Sequence, residues 1–140
     1  MTVYKLGEMD KWTRKAQVMT DEVLQVSIGL LVEELVKAMP VDTGNLVNSV
    51  EISLDGIKPV DKDPKATYTD PSAENAAVLK QAKPGEKVYI SVKAPYAVKA
   101  NYGQTQGNAN RPGHFFMIIA ANKWPVVVRR ATEIVKARYA

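Results

Sequence analysis

The most regular alternation of apolar and polar positions lies in residues 20–39. Leu24, Ile28, Leu31, Leu35 and Met39 recur at spacings of 4, 3, 4 and 4, and Val32 and Val36 widen the stripe. This predicts an amphipathic helix of about five turns. Thr20 stands where an N-cap is expected, with Asp21 and Glu22 in the first turn where the helix dipole favours negative charge. Gly29 inside the helix costs about 1 kcal/mol relative to alanine, so a close crossing is expected there. Residues 1–8 read as irregular and Met9 to Val18 as a separate short helix. Trp12 and Ala16 share a face of it, and Trp12 is expected to be a core or interface anchor because large aromatics mostly bury.

A corner follows. Pro40 lacks the N–H that a continuing helix would use and biases Met39 away from the α region, so the helix stops there. Asp42 is placed to cap a new short turn through the free amides of Gly44 or Asn45, and Gly44 is expected where two elements approach closely. Val50, Ile52 and Leu54 then alternate with Glu51 and Ser53, a strand with one wet face, ended by Asp55-Gly56. Residues 57–69 hold two prolines and alternating charges and read as an extended arm or long loop, suited to lying on a neighbouring subunit. Asp70-Pro71-Ser72 opens a short helix whose apolar side is Ala73, Ala76, Ala77, Val78 and Leu79, and Lys83-Pro84-Gly85 stops it. Glu86 to Ala94 is a second strand with Val88, Ile90 and Val92 on one face. After Pro95, Tyr96 to Tyr102 reads as a third strand or a bent continuation. Residues 103–113 are polar, contain no acid, and are expected to be a mobile loop unless a partner orders them. His114 to Arg138 is the last helix, opened by Phe115, Ile118 and Ile119. Val127, Ala131, Ile134 and Val135 continue its stripe, and Pro125 either kinks it or starts a second helix.

Composition places these elements in one domain. The chain has 140 residues, 46% hydrophobic and 24% charged, with no cysteine. That excludes a disulfide framework and thiolate metal sites, and fits a reducing cytoplasm. No basic-then-apolar secretory pattern and no uninterrupted apolar span are visible, so no membrane association is expected. The charge is unevenly placed: residues 1–82 carry 9 Lys/Arg against 13 Asp/Glu, whereas residues 83–140 carry 10 against 2. Such asymmetry suits either a basic face for nucleic acid or an acidic flank that meets the basic flank of the next copy. The basic residues are spread over several elements, which favours the second.

Candidate chemistry is sparse. His114 is the one histidine, which excludes zinc sites built on His pairs. No serine sits in a nucleophile elbow, and the 103–113 segment lacks the Lys-Ser/Thr ending of a phosphate-binding loop. Asp55, Asp61, Asp63 and Asp70 lack the glycine and closing glutamate of a calcium loop and read as solubilising loop residues. Helix-turn-helix recognition is weak as well, because the long helix is apolar towards a core. No catalytic residue, metal site or cofactor is expected.

Pro40-Val41-Asp42-Thr43-Gly44, followed by Leu46 and Ser49-Val50, resembles a signature of the neck and tail-completion proteins of tailed bacteriophages. Tyr89-Ile90-Ser91-Val92, then Ala94-Pro95-Tyr96-Ala97, then Tyr102-Gly103 resembles that family's second signature, in which a strand leads to Pro-Tyr-Ala and then to acid-Tyr-Gly. Asn101 departs from it, standing where the family carries an acid. Pro112-Gly113-His114-Phe115 before a long final helix is similar too, so the resemblance spans nearly the whole chain. It implies a structural virion protein, not an enzyme. Copies would form a ring at the head–tail junction, with portal or head-connector proteins and tail tube or terminator proteins as neighbours. DNA would pass through non-specifically, and assembly would take place in the host cytoplasm. Pro40, Asp42, Thr43 and Gly44 would be the structural signature, and Pro59, Tyr68, Tyr96, Tyr102, Gly103 and Arg111 the candidate contacts. Tyrosines 96 and 102 suit interface hot spots or a core. The alternative reading is a basic nucleic-acid-binding module using the C-terminal half.

The fold expected from pattern and resemblance together is α+β: a small, mostly antiparallel sheet packed against long N-terminal and C-terminal helices.

Overall fold

No proline separates Met9–Val18 from the stripe that follows, and nothing else there is costly enough to stop a helix once it has started. In a computed structural model, which describes residues 6–40, 44–106 and 109–140 (backbone alone at 6, 8, 104–106 and 109–111), the two expected helices are one. Helix α1 runs Leu6–Ala38, 33 residues. Residues 6–8, expected to be irregular, belong to it. Thr20 is not an N-cap: its hydroxyl donates 2.8 Å back to the Ala16 carbonyl, as Thr13 does to Met9 at 2.9 Å. A mid-helix threonine satisfied in this way leaves the backbone ladder intact.

Pro40 does end the helix, and the Met39 amide closes the last turn on the Val36 carbonyl at 3.1 Å. One turn of helix, α2 (Asn45–Asn48), follows. Gly44 stands before it with φ 73°, and a Cβ there would meet no atom within 4 Å. The glycine is therefore needed for its left-handed backbone, not for a close approach as expected. Asp42 and Thr43, with the capping role expected of Asp42, lie outside the described residues.

Strand β1 (Val50–Ser53) pairs antiparallel with β2 (Tyr89–Val92), Val50 opposite Val92 and Ile52 opposite Ile90. Val50 and Ile52 are buried, and Ile90 and Val92 pack on the same cluster. The alternation read in the sequence thus holds, with β2 shorter than residues 86–94. The opposite face is wet only in part: Glu51 and Tyr89 are half-buried, whereas Ser53 and Ser91 are buried, the Ser91 hydroxyl accepting from the Lys58 amide at 2.9 Å. Between the strands, Asp70 accepts from the amide of Ser72 at 3.0 Å and from its hydroxyl at 2.5 Å, setting the start of α3 (Ser72–Leu79). The buried residue of α3 is Asn75, whereas Ala73, Ala76 and Ala77, expected to face the core, are exposed. Asn75 accepts from the Ile52 amide and donates to the Val50 carbonyl, each at 3.0 Å. Its carboxamide takes the place of a third strand on the open edge of β1, which otherwise presents free backbone groups.

Tyr96 to Tyr102 is not a strand. It forms α4 (Ala97–Tyr102), with the Ala100 amide on the Tyr96 carbonyl at 2.9 Å and with Ala97 and Asn101, four apart, both buried. The expected mobile loop is a hairpin, β3 (Gly103–Gln106) antiparallel to β4 (Ala109–Pro112). The last helix is two: α5 (Phe116–Asn122) and α6 (Trp124–Arg138), with Pro125 in the first turn of α6, where its missing N–H is harmless. Val127, Ala131 and Val135 are buried as expected. At the start of α5 the expectation is off by one position. Phe116 and Ala120 face inward because Phe115, at φ 49°, turns the chain before the helix begins.

The result is α+β: a two-stranded antiparallel sheet against long N- and C-terminal helices, with a separate two-stranded hairpin. The core cluster joins Leu35, Met39, Leu46, Val50, Ala94, Ala97, Phe116 and Ala120. α6 packs along α1 further towards its N-terminus, where Tyr139 donates to Glu22 at 2.7 Å. A Cβ at Gly29 meets nothing within 4 Å, so no close crossing requires glycine there. Gly29→Ala is therefore expected to stabilise the protein by about 0.5–1 kcal/mol, read as a higher urea midpoint at unchanged m.

Candidate interaction surface

Phe115 to Ala121 is seven apolar residues without a polar interruption, so α5 is apolar all round. Such a helix ordinarily has protein on every side. Here one side has it: Phe116 is 1% exposed, but Met117 and Ile119 are exposed and Ile118 is 60% exposed. Local hydrogen bonds hold the helix in this attitude. The His114 and Phe115 amides donate to the Ala100 and Asn101 carbonyls, both at 2.9 Å, which closes the end of α4. The buried Asn101 side chain accepts from the Met117 amide at 3.2 Å, satisfying one of the free donors at the start of α5. Gly113 makes the approach possible, since a Cβ would stand 2.5 Å from the Asn101 carbonyl oxygen. The Asn101 side chain is therefore engaged within its own chain.

Beside α5 lies an open, largely apolar groove of about 290 Å³. Its lining includes Ile57 and Val60, Val98 and Tyr102 of α4, and Phe116 and Met117 of α5. Ile57 is 76% exposed and Tyr102 69%.

Residues 57–69 form a long loop without helix or strand, and its first residues, Ile57, Lys58 and Val60, line this groove. The Asp61 amide donates to the Lys93 carbonyl at 2.8 Å, and Asn45 grips the Tyr68 amide and the Ala66 carbonyl, each at 2.9 Å. The Tyr68 hydroxyl donates to the Asp61 carboxylate and stands 3.1 Å from the Lys93 carbonyl, while the Lys93 ammonium lies 5.8 Å from the ring centre. Burial, and then the bond to Asp61, push the Tyr68 phenol up to about 12. The native state thus holds this proton more tightly than the unfolded chain. Its contribution to stability is complete below about pH 10 and falls as pH rises towards 12. Tyr68→Phe is expected to remove that alkaline slope and to speed hydrogen exchange at the Asp61 amide, measured by NMR.

Of the residues named from the sequence, Tyr102 and the segment carrying Pro59 meet at this groove, Pro59 standing between the lining residues Lys58 and Val60. Gly103, at φ 86°, turns the chain out of α4 into the hairpin. Tyr96 stands at the start of α4, partly exposed. Tyr68 is a tie within the subunit. Arg111 pairs through its backbone with Gln104 across the hairpin. Pro40 and Gly44 shape the corner and are not among the groove's lining residues, and Asp42 and Thr43 lie outside the described residues. No family model, curated protein or solved structure matches the chain.

Two further aspartates around this loop are engaged locally. Asp55 pairs with Lys58 at 3.0 Å, and the Asp63 carboxylate accepts from the Lys65 amide at 2.9 Å. Among the described residues no group of three His, Asp or Glu side chains is placed to hold a metal ion, and no helix is long and apolar enough to cross a membrane. Sequence pattern missed Asn101 and Asn75 as positioning residues, because a buried amide leaves no periodic signature.

Proposed function

We propose that this chain is a structural subunit that assembles with copies of itself into a ring at the head–tail junction of a tailed phage. Such a ring joins the tail to the head connector and surrounds the DNA path, with portal or connector proteins on one side and tail tube or terminator proteins on the other. The observation that carries the assembly reading is surface area. A compact monomer of 15.4 kDa exposes about 7,200 Å², whereas this chain exposes 9915 Å². The excess, about 2,700 Å², is of the size that protein–protein interfaces cover. Exposed apolar side chains contribute to it: Met117, Ile118 and Ile119 on α5, Ile57, Val98 and Tyr102 at the groove, and Met9 and Trp12 on α1. The virion placement is supported by the resemblance in the Pro40–Gly44 corner and the Pro95–Gly103 segment.

Negative-stain electron microscopy of the purified protein tests the reading. Closed annular particles are expected, together with density for this chain between capsid and tail in intact virions. Particles lacking it at that position would overturn the placement.

The second reading, a nucleic-acid-binding module, is favoured by exposed Lys123, Arg129, Arg130 and Lys136 in the C-terminal helices. They are spread along α6 and its entry, and Arg138 is engaged with Glu22 at 3.6 Å. Monomer binding to duplex DNA that weakens steeply between 50 and 200 mM salt, on the order of 10³-fold or more, would favour this second reading.

A further inference from the structure

We propose that the exposed first half of α1 in one copy lies in the groove between Ile57, Val98, Tyr102 and Met117 of the next, with Trp12 as the side chain that fills it. The pairing rests on the assembly reading above and names its contact.

From Met9 to Val18 every residue of α1 is exposed, with Met9 at 54% and Trp12 at 71%. The groove sits at the far end of the same helix. Its floor includes Phe116, which packs in the cluster with Leu35 and Met39. Leu35 follows Trp12 by 23 residues, about 35 Å along a continuous helix. No side chain spans that distance, so Trp12 cannot enter the groove of its own subunit. Contact between them joins two different surfaces of two copies. Each added copy then presents one exposed helix and one open groove, and addition stops where the rotation between copies closes a ring.

Size and chemistry agree with this pairing. An apolar groove of about 290 Å³ takes one large side chain, and a tryptophan covers roughly 150–250 Å² there. A head-to-tail subunit uses two half-interfaces of about 800 Å² each, which the excess exposed area of about 2,700 Å² accommodates. Tryptophan and tyrosine are also the side chains that most often anchor such contacts.

Two substitutions at exposed positions test the pairing on the full chain: Trp12→Glu on the helix and Val98→Glu in the groove. Circular dichroism and thermal melting should show both variants folded like the wild type. By sedimentation, each alone should associate about 30-fold more weakly or worse. Mixed, they should form 1:1 dimers and stop, because the mixture keeps one intact helix and one intact groove per pair. Val98→Glu assembling like the wild type, or a mixture that stays monomeric, would overturn the pairing. Helix-to-helix association through Met9 and Trp12 would appear as the first of these. A wild type that assembles while Trp12→Glu assembles equally well would overturn this contact and leave the ring reading standing. A wild type that is monomeric at every concentration would overturn both.

Discussion

Phe116→Ala is expected to lower the unfolding free energy by about 4 kcal/mol. Phe116 is the largest of the fully buried side chains and belongs to the cluster that joins α1, α2, β1 and α4. It shares that cluster with Leu35 and Met39 at the end of α1, Leu46 of α2 and Val50 of β1, three segments that hold their side chains in place, so the cavity cannot collapse freely. A loss of this size is a large share of the 5–15 kcal/mol that stabilises a typical domain. It should appear as a fall of more than 10 °C in melting temperature. Phe116 also forms the groove floor, so assembly should weaken in the same variant. Phe116→Leu separates the two effects by restoring most of the volume while changing the floor's shape.

Asn75→Ala is expected to cost about 3 kcal/mol, although it removes a polar side chain from a helix that alanine suits better. The reason is the backbone it serves. The Ile52 amide and the Val50 carbonyl, each 3.0 Å from the Asn75 carboxamide, belong to a strand whose other edge is already used by β2. Without the amide both groups stay buried and unsatisfied, at about 1–3 kcal/mol each. Asn75→Asp keeps the acceptor for Ile52 but turns a carboxylate towards the Val50 carbonyl. Its stability should recover in part as pH falls and the acid protonates. Equilibrium urea unfolding of the three proteins at pH 4 and pH 7 measures this. Equal stability of Asn75→Ala and the wild type would show that the side chain does not satisfy that edge.

These residues mark the limits of what pattern alone reveals. The stripe from Leu24 to Met39, the stop at Pro40, the alternation of β1 and β2 and the Val127–Val135 stripe were legible, because burial of one face leaves a period in the sequence. Asn75 was not, since a single polar residue that replaces a strand has no period. α4 was not, since six residues after Pro95 hold too few positions to separate a turn of helix from a strand. The hairpin of β3 and β4 is polar on both faces, so it lacks the apolar alternation that identifies strands. The Gly107-Asn108 dipeptide, a known hairpin signal, was the one cue available there. At α5 the apolar run was visible, but its rotation depended on the left-handed backbone of Phe115, which an aromatic residue rarely adopts. An apolar run of this length reads as a core face, whereas the structure leaves Met117, Ile118 and Ile119 exposed.

The proposed function makes this chain one part of a larger closed body. Sedimentation velocity of the wild-type protein across a hundredfold range of concentration tests that most directly. The expected result is a single large species of fixed stoichiometry that grows at the expense of monomer. A sharp 15.4 kDa boundary at every concentration would contradict it.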